Sequence, residues 1–270
     1  MTQPPKNVNE VVGHALQLSR GIPGFLGDHE ARFLGVLAAC TPADGAIVEI
    51  GSFKGKSTVV LASVAAHYGL GPVVAIDPHT APSSTDPDLP PGVSSFDEFV
   101  AGLRATNLEK HAEAHRTFSR EVAKGWNRPI RLLWIDGEHT YKGAKEDFDL
   151  FSPFLTNGAV VALHDALHAF EGPIRVFVED ILRSDRFGAA GFVQSVAWGQ
   201  FRPYDGANFR EQRQHLAHRA AKLLPFLKDS QPLRGLTKMR YKLARSRIPR
   251  APISTGEWCD LLAVHVAQKI

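Results

Sequence analysis

The chain has 270 residues, 44% of them hydrophobic and 22% charged, which is the balance of a globular protein with one large domain or one domain plus an appendage. No stretch approaches the roughly 18 consecutive apolar residues of a membrane span, residues 1 to 10 lack the apolar core of a secretory signal, and two cysteines, Cys40 and Cys259, make neither a disulfide framework nor a zinc spacing, so a cytoplasmic location is expected. The net charge of +3 is unevenly placed: residues 206–250 hold 12 Lys/Arg against two acids, which leaves 19 against 26 elsewhere, and such asymmetry points to an anionic partner.

Asn9 to Ser19 places Val11, Val12, Ala15 and Leu16 at helical spacing. Gly21, Pro23 and Gly24 break that helix, and Asp28 is the expected cap of a second one, to about Ala39. Ala46-Ile-Val-Glu-Ile-Gly51 reads as a buried strand, Gly51 to Thr58 as a glycine turn, and Ser57 to His67 as a helix. Val73-Val-Ala-Ile-Asp77 is the next strand, closed by an acid. Residues 79–95 hold Pro82, Pro87, Pro90 and Pro91 with four serines, a loop placed to act as a lid. Phe96 to Thr106 is a helix, Ala112 to Phe118 a weak strand, and Ser119 caps a short helix to about Trp126.

Arg131-Leu-Leu-Trp-Ile-Asp-Gly-Glu-His139 is the most informative stretch. Its four apolar residues from Leu132 to Ile135 read as a buried parallel strand that delivers Asp136 to the carboxyl edge of a sheet, where open α/β sheets bind ligands. A helix from Tyr141 to Phe151 follows, and then a second strand of this type, Ala159 to Leu163, ends in His164-Asp165. Pro173 to Leu182 is a helix with proline in its first turn, and Gly191 to Phe201 reads as one last strand. The basic segment 206–250 is helical in two pieces, broken near Pro225 and Pro232, and Trp258 to Val266 is apolar enough to dock. The β/α alternation from 46 to about 205 predicts a doubly wound α/β sheet. Three domains of organisation follow: an N-terminal helical cap over 1–44, a catalytic domain over 45–205 and a basic extension over 206–270.

Gly55-Lys-Ser-Thr58 looks like the end of a phosphate-binding loop. That loop needs four residues between its first glycine and the Gly-Lys pair, and here there are three, Ser52, Phe53 and Lys54. The other reading is a cosubstrate turn. Glu49-Ile-Gly51-x-x-x-Gly55, between a strand and a helix, resembles the first motif of class I S-adenosylmethionine-dependent methyltransferases. Asp77 at the close of the second strand, Phe118-Ser119-Arg-Glu121, Ile135-Asp-Gly-Glu-His139-x-Tyr141, Asp147 and Gly158-Ala-Val-Val-Ala-Leu-His-Asp165 extend the resemblance over about residues 45 to 200, toward the small-molecule O-methyltransferase branch with its cation-dependent macrolide and polysaccharide sugar O-methyltransferases.

The resemblance implies a Rossmann-like, mostly parallel seven-stranded sheet with S-adenosyl-L-methionine as cosubstrate. Glu49, Gly51, Ser52 and Ser57 match the methionine-side turn, Asp77 the ribose acid, and Ser119 the adenine wall, with Asp136 also at the cofactor edge. Asp136, His164 and Asp165 stand at metal positions. Divalent-cation-dependent members often carry a second acid where this chain has His164. Magnesium prefers oxygen ligands, so either His164 supports the site from behind or a softer metal such as manganese is accepted. Glu138 and Asp147 are reserve oxygen donors. His79 and His168 are read as loop histidines at the surface, and Trp134 as core. A bound cation lowers the pKa of an attacking hydroxyl, and His139, three residues after a metal-position acid, is the candidate general base.

The expected activity is cation-assisted methyl transfer to a hydroxyl of a sugar or sugar-containing metabolite, with a small-molecule or oligosaccharide acceptor and a homodimer as the assembly. The alternative is a methyltransferase-fold binding module that holds an anionic polymer or a membrane through residues 206–250. The basic segment lacks the interleaved aromatics of a stacking surface, so DNA is not expected as a partner.

Overall fold

In a computed structural model of the protein, residues 4–80, 93–227 and 232–263 are described. The lid reading therefore falls mostly outside the described residues. Two helices open the chain, α1 (Val8–Ser19) and α2 (Asp28–Cys40). Strands and helices then alternate as β1 (Ala46–Ile50), α3 (Lys56–Tyr68), β2 (Val73–Ile76), α4 (Phe96–Ala105), β3 (Ala112–His115), α5 (Ser119–Ala123), β4 (Ile130–Ile135), α6 (Tyr141–Phe151), β5 (Leu155–Leu163) and α7 (Glu171–Val176). A hairpin of β6 (Phe187–Val193) and β7 (Val196–Phe201) follows, then α8 (Arg210–Ala220), α9 (Gly235–Ser246) and α10 (Thr255–Leu262).

The seven strands form one sheet in the order β3-β2-β1-β4-β5-β7-β6. The five strands from β3 to β5 run parallel, and β7 is antiparallel to both of its neighbours. Every residue of β4 is buried, because helices cover both faces and no alternation is needed. One apolar layer joins Leu132, Trp134 and Val160 to α1, α2 and α3, and the other joins Leu133, Ile135 and Val161 to α6 and α7. Both layers remove apolar surface from water, the largest favourable term in folding.

Arg131 is the second residue of β4 and is buried; its guanidinium donates to the Ala38, Thr41 and Ala43 carbonyls at the end of α2. Helix ends leave such carbonyls without intrahelical partners, so one side chain ties the N-terminal helices to the central strand. At the other end of the chain, Trp258 on α10 is fully buried between Phe33 of α2 and Trp198 of β7.

Four readings of the sequence need correction. Asp28 is the first helical residue rather than the cap; Gly27 holds that place and its N–H donates to Glu30. Residues 191–201 are not one strand: the chain turns at Gln194, whose φ of 53° is left-handed, and two strands pair across the turn. The helix placed over 173–182 starts at Glu171 and widens into a π-helical turn over Phe177–Leu182. His79 is not at the surface: it is buried, with its Nδ1 2.9 Å from Ser95 Oγ and its ring against Phe96 and Phe99.

Candidate active site

Four parallel strands end side by side. The register pairs Ile76 with Ile50, Ile50 with Ile135, and Ile135 with Leu163. The next residues therefore line up as Asp77, Gly51, Asp136 and His164. The ladder continues one step past the strands, with Gly51 N–H donating to Ile76, Asp136 N–H to Ile50 and His164 N–H to Ile135. This row is the floor of a cavity of about 430 Å³, within the usual size of a small-molecule site.

Gly51, Ser52, Ser57, Asp77, Ser119, Asp136, His139, His164 and Asp165 all line that cavity. Glu49 stands behind it, fully buried, and its Oε2 accepts from Thr58 Oγ1 at 2.5 Å. Burial pushes the Glu49 carboxyl up to about 7 against the pull of the Ser57 and Thr58 hydroxyls, and the Asp136 carboxylate adds to the rise. Asp147 also lines the cavity, and burial raises it to about 7 despite a hydrogen bond from Ser119.

The turn after β1 is built for close approach. Gly51 has φ 89°, and a Cβ there would stand 2.2 Å from the Asp136 carbonyl oxygen. Only glycine lets β1 and β4 come this near with that backbone. Phe53 and His79 both have left-handed φ, and their N–H groups donate to the two Asp77 oxygens at 2.7 and 2.6 Å. Asp77 thus organises the rim it belongs to. The Ser52 hydroxyl oxygen is buried and has no hydrogen-bond partner among the described residues. A buried polar atom without a partner is costly, and an incoming polar ligand group relieves that cost. A glycine-lined approach, an acid on the second strand and an unsatisfied hydroxyl fit an amino-acid nucleoside such as S-adenosylmethionine.

Beside this half of the cavity, Asp136, His139 and Asp165 converge. One ligand atom from each lies within 4.8 Å of the others; His139 Nε2 is 3.7 Å from Asp136 Oδ1 and 3.6 Å from Asp165 Oδ2. The two carboxylates at these spacings fit one divalent cation with oxygen ligands, with the His139 imidazole beside it. Asp165 is held at φ 55°, a left-handed backbone unusual for a non-glycine residue, and such strain gathers at functional sites. Burial alone would raise the carboxyls of Asp136 and Asp165, but His164, together with His139 at Asp136 and His168 at Asp165, holds both below the usual carboxylate range.

His164 is buried, and both of its ring nitrogens face carboxylates: Nδ1 is 2.9 Å from Asp136 Oδ1 and Nε2 is 3.4 Å from Glu30 Oε2. Burial opposes its charge, yet the Asp136 carboxylate raises it well above the ordinary histidine range. His168, half exposed, sits 2.6 Å from Asp165 Oδ1 and so touches the site after all. Glu138 lines the cavity near Thr140 without joining the Asp136 cluster.

Two residues escape a reading of the chain alone. Glu30 reaches the site from α2, and its Oε1 accepts from the backbone N–H and hydroxyl of Ser195 in the β6–β7 turn. Burial would raise Glu30, but His164, Ser195 and the Gly27 N–H bring it down to about 2. Phe170 stacks on the His139 ring at 4.4 Å and 15°, fixing the plane in which His139 can work. Neither residue carries a motif, and each is more than 25 positions from its partner or on a different loop.

A glycine turn after the first strand, an acid after the second and an acidic edge after the fourth, on a sheet with an antiparallel seventh strand, have the layout of the class I methyltransferase fold. Residues 48–166 match the family described as Methyltransferase domain. Solved structures agree on the fold. This chain is similar to the O-methyltransferase NovP, with 11% identity over 73% of this chain and 100% of that one, at a TM-score of 0.56. It is also similar to cofactor-bound Rv0187 from MTB, with 16% identity, 72% and 90% coverage and a TM-score of 0.51. The O-methyltransferase from Bacillus cereus, solved in complex with SAH, matches at 19% identity, 73% and 92% coverage and a TM-score of 0.50. Among the described residues, no helix is long and apolar enough to cross a membrane.

Proposed function

We propose that this protein is an O-methyltransferase that moves the methyl group of S-adenosylmethionine to a hydroxyl of a sugar or sugar-containing metabolite, assisted by a divalent cation. The observation that carries the reading is the convergence of Asp136, His139 and Asp165 within 4.8 Å at the edge of the cosubstrate cavity. The likeness to NovP, named as an O-methyltransferase, supports oxygen as the accepting atom; the sugar rests on the resemblance carried by residues 135–165.

Methyl transfer is a single displacement in which the attacking oxygen, carbon and sulfur lie in line, so the protein contributes position and charge control. Gly51, Ser52 and Asp77 hold the methyl donor along the first two strand ends. Asp136 and Asp165 hold a cation, with Mg²⁺ the expected ion and Mn²⁺ also accepted. When bound, the cation orients the acceptor hydroxyl and lowers its pKa. His139, pinned by Phe170, takes the hydroxyl proton on Nε2 as the oxygen attacks. His164 stands behind Asp136 as a charged support, the first of the two readings of that position.

The test is methyl transfer from labelled S-adenosylmethionine to a panel of glycosides, with and without chelator. Asp165→Asn is expected to reproduce the effect of chelation, a loss of at least roughly a hundredfold. Full turnover in excess chelator removes the cation from the reading, and transfer only to amines or thiols removes the hydroxyl acceptor.

A further inference from the structure

Helix α9, GLTKMRYKLARS, presents two faces of opposite purpose. Tyr241 is buried, and its hydroxyl donates to the Leu167 and His168 carbonyls at 3.1 and 2.7 Å; Arg245 also donates to Leu167. This inner face locks the helix to the loop after β5, two residues past Asp165, on the same edge of the sheet as the active site. At about 100° per residue, Leu236, Met239 and Leu243 form a narrow stripe opposite Tyr241. They are 70%, 66% and 58% exposed. Solvent-facing positions of a twelve-residue helix otherwise take polar side chains.

Basic side chains flank the stripe on both sides, Arg240 and Arg247 on one and Lys238 and Lys242 on the other. From Arg234 to Arg250 the chain carries seven Lys/Arg and no acid. By contrast, Arg213 of α8 is buried and spends its charge on Asp185 and nearby carbonyls. Of the charges around α9, those of Arg234, Lys238, Arg240, Lys242 and Arg247 are exposed.

We infer that α9 is an interfacial helix that docks the enzyme on an anionic lipid bilayer. An apolar ridge between two basic rows matches a membrane surface, with leucines among the acyl chains and lysines and arginines at the headgroups. Nucleic acid would use the charge but leave the leucines in water, and no aromatic is exposed on the helix to stack with bases. A second copy of this face would set like charge against like charge across a two-fold axis. The acidic remainder of the chain, 26 acids against 19 bases outside residues 206–250, is repelled by the same lipids, so the charge asymmetry also orients the molecule.

The experiment is sedimentation of the full chain with vesicles of phosphatidylcholine alone or mixed with phosphatidylglycerol. The protein is expected to sediment only with the anionic vesicles and to release as salt rises. Leu236→Ser with Leu243→Ser should weaken binding about tenfold or more, and Lys238→Gln with Lys242→Gln about tenfold or more, both without loss of helix by circular dichroism because all four side chains are exposed. Absence of binding to anionic vesicles overturns the inference. So does binding that ignores the leucine pair and is matched by single-stranded RNA, or a dimer in light scattering that the leucine substitutions dissolve.

Discussion

His164 Nδ1 lies 2.9 Å from Asp136 Oδ1, and the same ring presents Nε2 to Glu30. A buried imidazole between two carboxylates joins the candidate catalytic edge to the N-terminal helices. Glu30 stabilises that arrangement as the carboxylate, since it is held at about 2 in the folded protein against an ordinary 4.5. Because the folded value is the lower one, the unfolded chain binds the extra proton first, and the stabilisation is present above about 4.5 and lost as pH falls toward 2. Glu30→Gln should therefore lower the melting temperature at pH 7, and its deficit relative to the parent should close between those two pH values. A constant deficit across that window would contradict the role assigned to the carboxylate.

Asp147 titrates in the opposite sense. Its folded carboxyl is raised to about 7 from 3.8, so the folded protein keeps a proton that the unfolded chain has lost. Stability from this group falls as pH rises from about 4 to about 7. Asp147→Asn keeps the shape and removes the titration. The ligand-free variant should melt higher than the parent at pH 8, on the order of 5 °C, and the gain should vanish at pH 4; calorimetry at the two pH values decides.

Gly51→Ala should be far more damaging than its size suggests. The added methyl meets the Asp136 carbonyl at 2.2 Å, on a backbone at φ 89°. Neither β1 nor β4 can give way without breaking the register that aligns the site, so a cost of roughly 3 kcal/mol or more is expected. Denaturant titration measures it. A variant of parental stability would mean that the two strand ends are not packed as described.

His139→Ala should separate chemistry from binding. Loss of a general base is worth roughly 10²–10⁴ in kcat, while S-adenosylmethionine affinity, measured by calorimetry, should stay within about threefold because Gly51, Ser52 and Asp77 are untouched. Phe170→Leu removes the stacked ring and should give a smaller loss of the same kind. Equal losses in kcat and cosubstrate affinity would place His139 in the binding wall instead.

The amino-acid order by itself determined the βαβ core. Apolar runs such as Leu132 to Ile135, each closed by a glycine or an acid, can be buried on both faces only in a parallel sheet, and the residues after them must then fall on one edge. That is why Gly51, Asp77, Asp136 and His164 were legible as neighbours: parallel strands in register need no distant information to bring their ends together. The same reasoning ran the β6–β7 hairpin into one strand, because its turn at Gln194 and Ser195 carries no glycine or proline. It could not find Glu30, Ser195 or Phe170, which reach the site from another layer, another turn and another loop. Their partners are chosen by how α2 packs over the sheet and how the chain after β5 folds back, and those are choices of three-dimensional packing. His164 shows the division most clearly. Its place at a strand end follows from local pattern, while its commitment to two carboxylates, one of them 134 residues away, is decided only when the helices close over the sheet and exclude water from the pair.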